Sequence, residues 1–305
     1  MYTLSNFVSK FLNASQKRFN CKLFHIKTQK RDPHPYFQPP SPYILSHRGG
    51  AFERPEHTIL AFDHSAKLDL TGFEIDIRLS KDRHIIVFHD ADVDRTTNGS
   101  GRVAQHTLEE LKRLDAGFHF KDINGKFPYR GHSKAKIVTL DELLIRYPNQ
   151  LINIDIKDHP HTPEGEIAAE RLYQTIIKHQ AQQRVLVTSF HKAQIARFNQ
   201  LQTNEIATGA SQSEVTEGLL KFYIGLPHLY EGQALTFQMP LSHKGISLTS
   251  PRLIRWLNSR HIVPGYYGVN SIDLMVDLVE KGVHTIVTDR PTLAQQFLSR
   301  KLSKN

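Results

Sequence analysis

The chain has 305 residues, of which 39% are hydrophobic, and a formal net charge of +9. This length suits one large α/β barrel or two smaller domains. Cys21 is the single cysteine, which excludes an intrachain disulfide. No apolar run approaches the roughly eighteen residues of a membrane span, and the start lacks the apolar core of a secretory signal. We therefore expect a cytoplasmic protein, with peripheral contact to a membrane left open.

Positive charge is concentrated near the N-terminus, where we predict a basic arm and a linker over residues 1–42. Residues 1–40 contain seven lysine or arginine residues and one acidic residue, Asp32. Leu4, Phe7 and Phe11 share one helical face, which predicts a short amphipathic helix that lies on an anionic membrane or packs on the folded domain. No zinc, helix-turn-helix or base-stacking signature follows, so we expect no nucleic-acid partner.

After the linker, strand and helix patterns alternate along the chain, with a polar, weakly periodic segment that indicates an insertion or lid. The expected elements are strand 44–46, helix 56–68, strands 72–79 and 84–88, helix 107–114, insertion 115–137, helix 139–147, strand 151–156, helix 164–179, strand 184–190, helix 192–201, strand 205–207, helix 213–223, strand 234–239, helix 251–260, strand 262–269, helix 272–281, strand 285–288 and helix 292–299.

About eight strand-helix units without a sequence repeat predict parallel strands joined by right-handed crossovers. We expect an α/β fold, a (β/α)8 TIM barrel over residues 43–300 that carries the insertion and follows the basic arm. An open doubly wound sheet is the alternative, but no Gly-x-Gly-x-x-Gly turn follows a first strand. In a barrel, catalytic side chains lie at the carboxyl ends of strands, which is where His47, His89 and Lys157 fall.

Two acidic residues interrupt an otherwise apolar strand. Residues 72–79 alternate with period two, so Glu74 and Asp76 project from the same face, roughly 6 to 7 Å apart. Burying two like charges without a counter-ion costs several kcal/mol, so the pattern favours a bound cation. Oxygen ligands without cysteine favour a hard ion such as Mg²⁺ or Ca²⁺ over zinc.

Short polar motifs follow one another along the chain: His47-Arg48-Gly49, Pro55-Glu56-His57-Thr58, Glu74-Ile75-Asp76, His89-Asp90, Arg95-Thr96-Thr97-Asn98-Gly99-Ser100-Gly101, Asn153-Ile154-Asp155-Ile156-Lys157, Val187-Thr188-Ser189-Phe190, Val269-Asn270 and Thr288-Asp289-Arg290-Pro291. In this order they resemble the signature of the glycerophosphodiester phosphodiesterases, and the resemblance implies a barrel fold. Three positions depart from the family pattern. His57 stands where Asn is usual, Asp155 where Glu is usual, and Tyr267-Gly268 where Trp-Thr is common.

The resemblance also implies one divalent cation, Mg²⁺ or Ca²⁺, at a set of carboxylates. Glu74, Asp76 and Asp155 would be its ligands, although Asp155 is one methylene shorter than the usual Glu. Glu56 is either a further ligand or a partner that orients Arg48. Alternatively, Glu56 has only a structural role, as a carboxylate in the first turn of a helix, where the helix dipole favours a negative charge.

Hydrolysis of a phosphodiester needs positive charge on the nonbridging oxygens and a proton for the leaving oxygen. Arg48 and Lys157 would bind the substrate phosphate. His47 and His89 would act as base and acid, in an order that the sequence leaves open. In the family that this chain resembles, the base activates a neighbouring hydroxyl to form a cyclic phosphate; direct attack by water is the alternative.

We therefore expect a metal-dependent phosphodiesterase that converts glycerophosphodiesters to an alcohol and glycerol 3-phosphate. Residues 219–230 are the most apolar stretch outside the strands, and with residues 237–240 they resemble the lysophospholipase D branch of the family. That likeness implies a lysophospholipid substrate at a membrane surface, whereas the ordinary explanation is packing over the barrel. Two more hypotheses are a catalytically silent barrel that binds phosphate esters, and a sphingomyelinase D-like lipase, for which paired cysteines are missing.

Overall fold

The computed structural model describes residues 34–302 and shows an α/β barrel. Its strands are β1 Tyr43–His47, β2 Gly72–Leu79, β3 Ile85–Val87, β4 Val138–Thr139, β5 Leu151–Ile156, β6 Val185–Thr188, β7 Ala207–Thr208, β8 Thr236–Pro240, β9 Ser242–His243, β10 Ile246–Ser247, β11 Val263–Tyr267 and β12 Thr285–Thr288.

Eight of these strands form the predicted barrel, in the order β7-β6-β5-β2-β1-β12-β11-β8. Each neighbouring pair in this order is parallel. Backbone hydrogen bonds also join the two ends of the order, from Leu235 N to Thr208 O at 3.2 Å and from Ala210 N to Thr236 O at 3.0 Å. The nearly closed parallel barrel confirms the predicted fold class.

Helices connect the strands and cover the barrel. Thr107 and Glu110 form the capping box that the sequence predicts, and Thr139 with Glu142 forms a second one. The helices are α1 Ile59–Ala66, α2 Leu108–Arg113, α3 Leu140–Arg146, α4 Pro163–Lys178, α5 Lys192–Gln200, α6 Gln212–Tyr223, α7 Pro251–Ser259, α8 Ile272–Glu280 and α9 Pro291–Leu302. No helix in residues 34–302 has both the length and the apolar character that a membrane span requires.

The alternation of β2 decides which of its side chains enter the barrel. Phe73, Ile75 and Ile77 are buried in an apolar cluster with residues of the surrounding helices. Burial of each such side chain stabilises the fold by about 1.5 to 3 kcal/mol. Because successive residues of a strand face opposite sides, Glu74 and Asp76 point into the barrel. A register slip by one residue would exchange the acidic and apolar faces, so packing fixes the position of both carboxylates.

Three antiparallel pairings among the described strands depart from the expected pattern of parallel strands. One joins β3 to β4, with Val87 opposite Val138, and the other two are local. Strand β3 lies outside the barrel and runs antiparallel to β2, with Ile77 opposite Val87. An additional antiparallel hairpin of β9 and β10 follows β8, and the sequence did not predict it. Both pairings join segments close in sequence, where a short turn permits an antiparallel ladder and no crossover helix is needed.

The predicted insertion, residues 115–137, is loop throughout and is tied down by polar contacts. Asp115 accepts hydrogen bonds from Gly117 N at 2.9 Å and Gly131 N at 2.6 Å. Lys134 Nζ bonds to Asp63 Oδ2 at 3.2 Å, which attaches the segment to α1. These contacts hold it against the barrel, and a lid function for it stays a prediction.

The chain just before β1 packs against the amino-terminal end of the barrel. Tyr36 is 1% exposed, lies in one cluster with Tyr43, Leu186 and Ala207, and accepts a hydrogen bond on its carbonyl from Tyr43 Oη at 2.8 Å. The packed part of the protein therefore includes residues before 43. The basic amphipathic helix predicted near the N-terminus lies outside the described residues.

Replacement of Tyr36 by alanine should lower the free energy of unfolding by roughly 3 to 5 kcal/mol, because it empties a fully buried aromatic site. Tyr36→Phe is the matched control. Among residues 34–302, the Tyr36 hydroxyl has no hydrogen-bond partner, so its removal should change stability by less than about 1 kcal/mol. Denaturant titration measures both, and equal stability of the alanine variant and the wild type would contradict the packing described for Tyr36.

Candidate active site

The carboxyl ends of the barrel strands surround a cavity of about 480 Å³. It has a polar base and an apolar wall, and seven of the eight residues predicted for the site lie on it. Glu56 is the eighth, and it contacts the cavity residue Arg48 instead. The seven are His47, Arg48, Glu74, Asp76, His89, Asp155 and Lys157.

His47 ends β1 and is anchored by a carboxylate that follows β12. Its Nδ1 lies 2.6 Å from Asp289 Oδ1, while Asp289 Oδ2 accepts from Asn270 Nδ2 at 2.8 Å. On the other side of the ring, Nε2 is 3.6 Å from Glu74 Oε2. Burial by itself would lower the pKa of His47, but the bond to Asp289 and the charge of Glu74 outweigh it and raise that pKa.

Three carboxylates are buried side by side at the base of the cavity. Asp76 and Asp155 are directly opposite in the β2–β5 register, and Glu74 is two residues before Asp76. Glu74 is 8% exposed, Asp76 1% and Asp155 7%. Lys157, on the same face of the chain as Asp155, places its Nζ 2.7 Å from Asp155 Oδ2 and 2.9 Å from Asp76 Oδ1. One ammonium group thus bridges two of the three carboxylates.

The carboxylates differ in protonation because their neighbours differ. Burial and the charge of Asp76 raise the pKa of Glu74 to about 7. Burial acts on Asp76 in the same direction, but the positive charges around it, chiefly that of Lys157 and also that of Arg48, together hold the pKa of Asp76 below its usual range. Burial also raises the pKa of Asp155, against the opposing charge of Lys157. Added positive charge at this site would favour ionisation of all three.

Arg48 follows β1 in a left-handed backbone conformation, with a φ of 54°. This region is unfavourable for residues other than glycine, and such strain is concentrated at functional sites. The Arg48 guanidinium lies between two carboxylates, with Nε 3.2 Å from Asp76 Oδ2 and Nη1 3.0 Å from Glu56 Oε1. Burial would raise the pKa of Glu56, but Arg95 and Arg48 outweigh it and hold that pKa at about 2.

His89 reaches the cavity from the antiparallel strand β3 and not from a barrel strand. Phe88 N donates to the Asp76 carbonyl oxygen at 2.9 Å, which brings the end of β3 beside β2. His89 Nδ1 lies 2.6 Å from Asp90 Oδ1. Burial lowers the pKa of His89, and the charge of Asp76 opposes this shift only in part.

His57, the first departure from the family pattern, is a buried neutral residue behind the carboxylates. Asp76 N donates to His57 Nε2 at 3.2 Å, so the ring proton belongs on Nδ1. Burial lowers the pKa of His57 to about 3. The imidazole therefore acts as a hydrogen-bond acceptor for the backbone of β2. Tyr267, at the third departure, lines the cavity, and Gly268 after it has a φ of 74°.

Helix α6 contributes the largest part of the apolar wall of the cavity, and the β9–β10 hairpin adds Ile246. Leu219, Leu220 and Tyr223 of α6 and Ile246 of the hairpin line the cavity, and Tyr223 Oη donates to the Ser247 carbonyl oxygen at 3.2 Å. Part of the apolar stretch predicted at residues 219–230 therefore lines the cavity, beside the ionisable base. Other members of the stretch are at least 40% exposed, namely Ile224, Leu226 and Leu229.

The donor set at the base suits a hard cation. Within residues 34–302, Glu74 Oε2, Asp76 Oδ2 and Asp155 Oδ1 are buried without a hydrogen-bond partner. Unsatisfied buried carboxylate oxygens are unfavourable, and a divalent cation with oxygen ligands would satisfy them. In the same described residues, no group of three or more His, Cys, Asp or Glu side chains is spaced to hold a metal ion. Lys157 bridges two of these carboxylates.

Comparisons with known proteins point to one family. A model of the Glycerophosphoryl diester phosphodiesterase family matches residues 47–293. A glycerophosphodiester phosphodiesterase of Bacillus subtilis (strain 168) is 30% identical over 257 residues, which cover 82% of this chain and 84% of the relative. Another, from Caldanaerobacter subterraneus, is 32% identical over 250 residues, or 81% of this chain and 94% of the relative.

Two solved structures share the fold at low sequence identity. A glycerophosphoryl diester phosphodiesterase domain from Mycobacterium tuberculosis has a TM-score of 0.74 and 19% identity, covering 85% of this chain and 100% of the other. An Oleispira antarctica phosphodiesterase in complex with the product sn-glycerol-3-phosphate has a TM-score of 0.63 and 21% identity, covering 85% and 96%.

The fold and the relatives together define an α/β-barrel enzyme, a phosphoric diester hydrolase. The chain belongs to the glycerophosphoryl diester phosphodiesterase family. The alternative of a catalytically silent barrel is therefore set aside.

Sequence reasoning did not assign the residues that hold the two histidines. Asp289 and Asn270 hold His47, and Asp90 holds His89. Both Asp289 and Asp90 belong to motifs that carry the family resemblance, and each follows a predicted strand. The position after a strand was the sequence feature that pointed to a role for these aspartates. It could not reveal the contact between Asp289 and His47, because these residues are 242 positions apart.

Asp289→Asn should reduce kcat by roughly 100-fold with a smaller change in KM, because it removes the carboxylate that orients and charges the His47 ring. Asp277→Asn in α8 is the matched control, since Asp277 pairs with Lys281 on the helix surface. Steady-state kinetics of both variants provide the measurement. Equal kcat values for the two would show that Asp289 does not support His47.

Proposed function

We propose that this protein hydrolyses glycerophosphodiesters to an alcohol and glycerol 3-phosphate with the help of one divalent cation. The observation that carries the proposal is the gathering of two anchored histidines, two cationic side chains and three buried carboxylates in one cavity. Family membership and the activity for which the Bacillus and Caldanaerobacter relatives are named support it. So does the glycerol 3-phosphate product found with the Oleispira structure.

Glu74, Asp76 and Asp155 would hold the cation, Mg²⁺ or Ca²⁺. When bound, it supplies positive charge for the nonbridging phosphate oxygens. Glu74 Oε2 and Asp155 Oδ1, which accept no hydrogen bond within residues 34–302, support this role, whereas Asp76 Oδ2 lies 3.2 Å from Arg48 Nε. Glu56 is better suited to orient Arg48 than to bind metal, because both of its oxygens accept hydrogen bonds from arginines.

Arg48 and Lys157 would bind the substrate phosphate beside these carboxylates. His47 and His89 would move the protons of the reaction, one as base and one as acid. In each ring, Nδ1 is bound to an aspartate, so Nε2 is the nitrogen left for proton exchange. The aspartates also favour the tautomer and orientation that aim Nε2 at a substrate, as in other carboxylate-histidine pairs.

Removal of divalent cations should abolish turnover. We expect EDTA to reduce release of glycerol 3-phosphate from glycerophosphocholine, glycerophosphoethanolamine and glycerophosphoglycerol by more than about 100-fold, because charge on the phosphate oxygens would no longer be balanced. Excess Mg²⁺ or Ca²⁺ should restore it, and a coupled assay for glycerol 3-phosphate measures both steps. Full activity after dialysis against EDTA would contradict the proposed dependence on a divalent cation.

A second candidate substrate is a lysophospholipid, which one specific observation favours. The wall that Leu219, Leu220 and Tyr223 form is continuous with the ionisable base, so an alkyl chain attached to the reacting glycerophosphate would meet apolar side chains. The exposed residues Ile224 and Leu226 would then contact the membrane surface. Phosphodiester cleavage on the headgroup side would make this activity a lysophospholipase D.

Leu220→Asn tests the alkyl-chain wall, since Leu220 lines the cavity and is 43% exposed. We expect kcat/KM for monomeric lysophosphatidylcholine to fall about tenfold, the scale of one lost apolar contact, and that for glycerophosphocholine to stay unchanged. Leu226→Asn is the matched control, because Leu226 is 40% exposed and lies off the cavity. A wild type that clearly prefers glycerophosphocholine would rule out the lysophospholipid.

A further inference from the structure

The two histidines of the cavity are held by different parts of the fold. His47 ends a barrel strand, whereas His89 follows the three-residue strand β3 outside the barrel. A side chain that no barrel strand carries needs other contacts to fix its position at the mouth. Arg78 of β2 provides one of them, since its Nε donates to the His89 carbonyl oxygen at 2.8 Å.

Arg95, in the loop after β3, provides a second contact through Asp90. While Asp90 Oδ1 holds His89 Nδ1, Asp90 Oδ2 accepts from Arg95 Nε at 2.5 Å. The other two nitrogens of the same guanidinium donate to Glu56, from Nη1 to Oε2 at 2.9 Å and from Nη2 to Oε1 at 2.7 Å. All three nitrogens of Arg95 are therefore engaged with two carboxylates.

Glu56 extends this network to the other side of the cavity. Its Oε1 also accepts from Arg48 Nη1 at 3.0 Å, and Arg48 is the cationic residue that follows β1. A continuous chain of charged contacts thus leads from His89 through Asp90, Arg95 and Glu56 to Arg48. Arg95 is the residue in its middle and is not itself on the cavity.

We propose that Arg95 is a positioning residue that orients His89 and Arg48 for the reaction, an inference that rests on the proposed function. The planar guanidinium is essential to this role, because two parallel bonds to Glu56 and a third to Asp90 need donors in a fixed fork. Lysine has a single ammonium group and cannot hold both carboxylates in the same geometry.

The competing explanation is an ordinary surface ion pair that only holds the loop. The Arg95 side chain is 50% exposed, and exposed ion pairs contribute little to stability. Arg102 offers a matched comparison, since its side chain is 49% exposed and donates to Glu164 Oε1 at 3.0 Å. The two arginines belong to the same loop region, but only Arg95 contacts partners of cavity residues.

Arg95→Met should reduce kcat for glycerophosphodiester hydrolysis about 10- to 100-fold, a part of the acceleration that a well-placed acid or base provides. KM should change less, because Arg48 keeps its contact with Asp76. Arg95→Lys should recover little of the loss, and Arg102→Met should leave kcat within about twofold of the wild type. Thermal unfolding of each variant shows whether the fold is retained.

Chemical rescue separates positioning from folding. Because Arg95 is half exposed, added guanidinium at millimolar concentration should enter the site of Arg95→Ala and restore kcat at least about fivefold, without effect on Arg102→Ala. If the wild type is active and Arg95→Met and Arg102→Met lose kcat equally, the inference about Arg95 is wrong and the proposed function is unaffected. A loss of kcat in Arg95→Ala that guanidinium does not restore would have the same consequence. A wild type inactive on every glycerophosphodiester would overturn the proposed function together with it.

Discussion

The structure depends on balancing three carboxylates that the barrel buries at one end. Alternation in β2 sends Glu74 and Asp76 inward, and the β2–β5 register sets Asp155 opposite Asp76. Their mutual repulsion would destabilise the fold if no cation compensated it. In the described chain, Lys157 and Arg48 supply that compensation. The same arrangement creates a strongly polar site. Among the described residues, buried carboxylates keep oxygens that accept no hydrogen bond, and a cation bound to the substrate phosphate would satisfy them.

The two histidines make similar contacts, but different parts of the fold hold them. Each imidazole binds a carboxylate through Nδ1. The Asp289 carboxylate follows a barrel strand and binds a neutral amide, that of Asn270, whereas Asp90 lies on a loop and binds the charged Arg95. The pKa values of the two rings shift in opposite directions. Burial lowers the pKa of His89, whereas at His47 the bond to Asp289 and the charge of Glu74 outweigh burial and raise the pKa.

Ionisable and apolar side chains occupy different walls of one cavity. Ends of β1, β2 and β5 carry the ionisable groups, while α6 and the β9–β10 hairpin carry the apolar ones. Because a loop or helix outside the barrel can change without disturbing the strands, such a wall can vary in shape while the polar base is preserved. The departures at Asp155 and Tyr267 lie on the same cavity, so they bear on binding as well as on chemistry.

Local pattern in the sequence determined the barrel and most of its cavity. The predicted bounds of β2, β5 and β12 match the structure, since period two and apolar runs are properties of adjacent residues. Strand ends indicate His47, His89 and Lys157, and alternation within β2 indicates Glu74 and Asp76, whereas Arg48 and Asp155 are assigned with the help of the family resemblance. Only the tertiary structure decided that β3 runs antiparallel, that Asp289 holds His47, and that Arg95 links His89 to Arg48. The contacts of Asp289 with His47 and of Arg95 with Glu56 join residues 242 and 39 positions apart, which no local periodicity records. The direction of β3 is a matter of pairing, and the period of a strand does not reveal which neighbour it pairs with or in which direction.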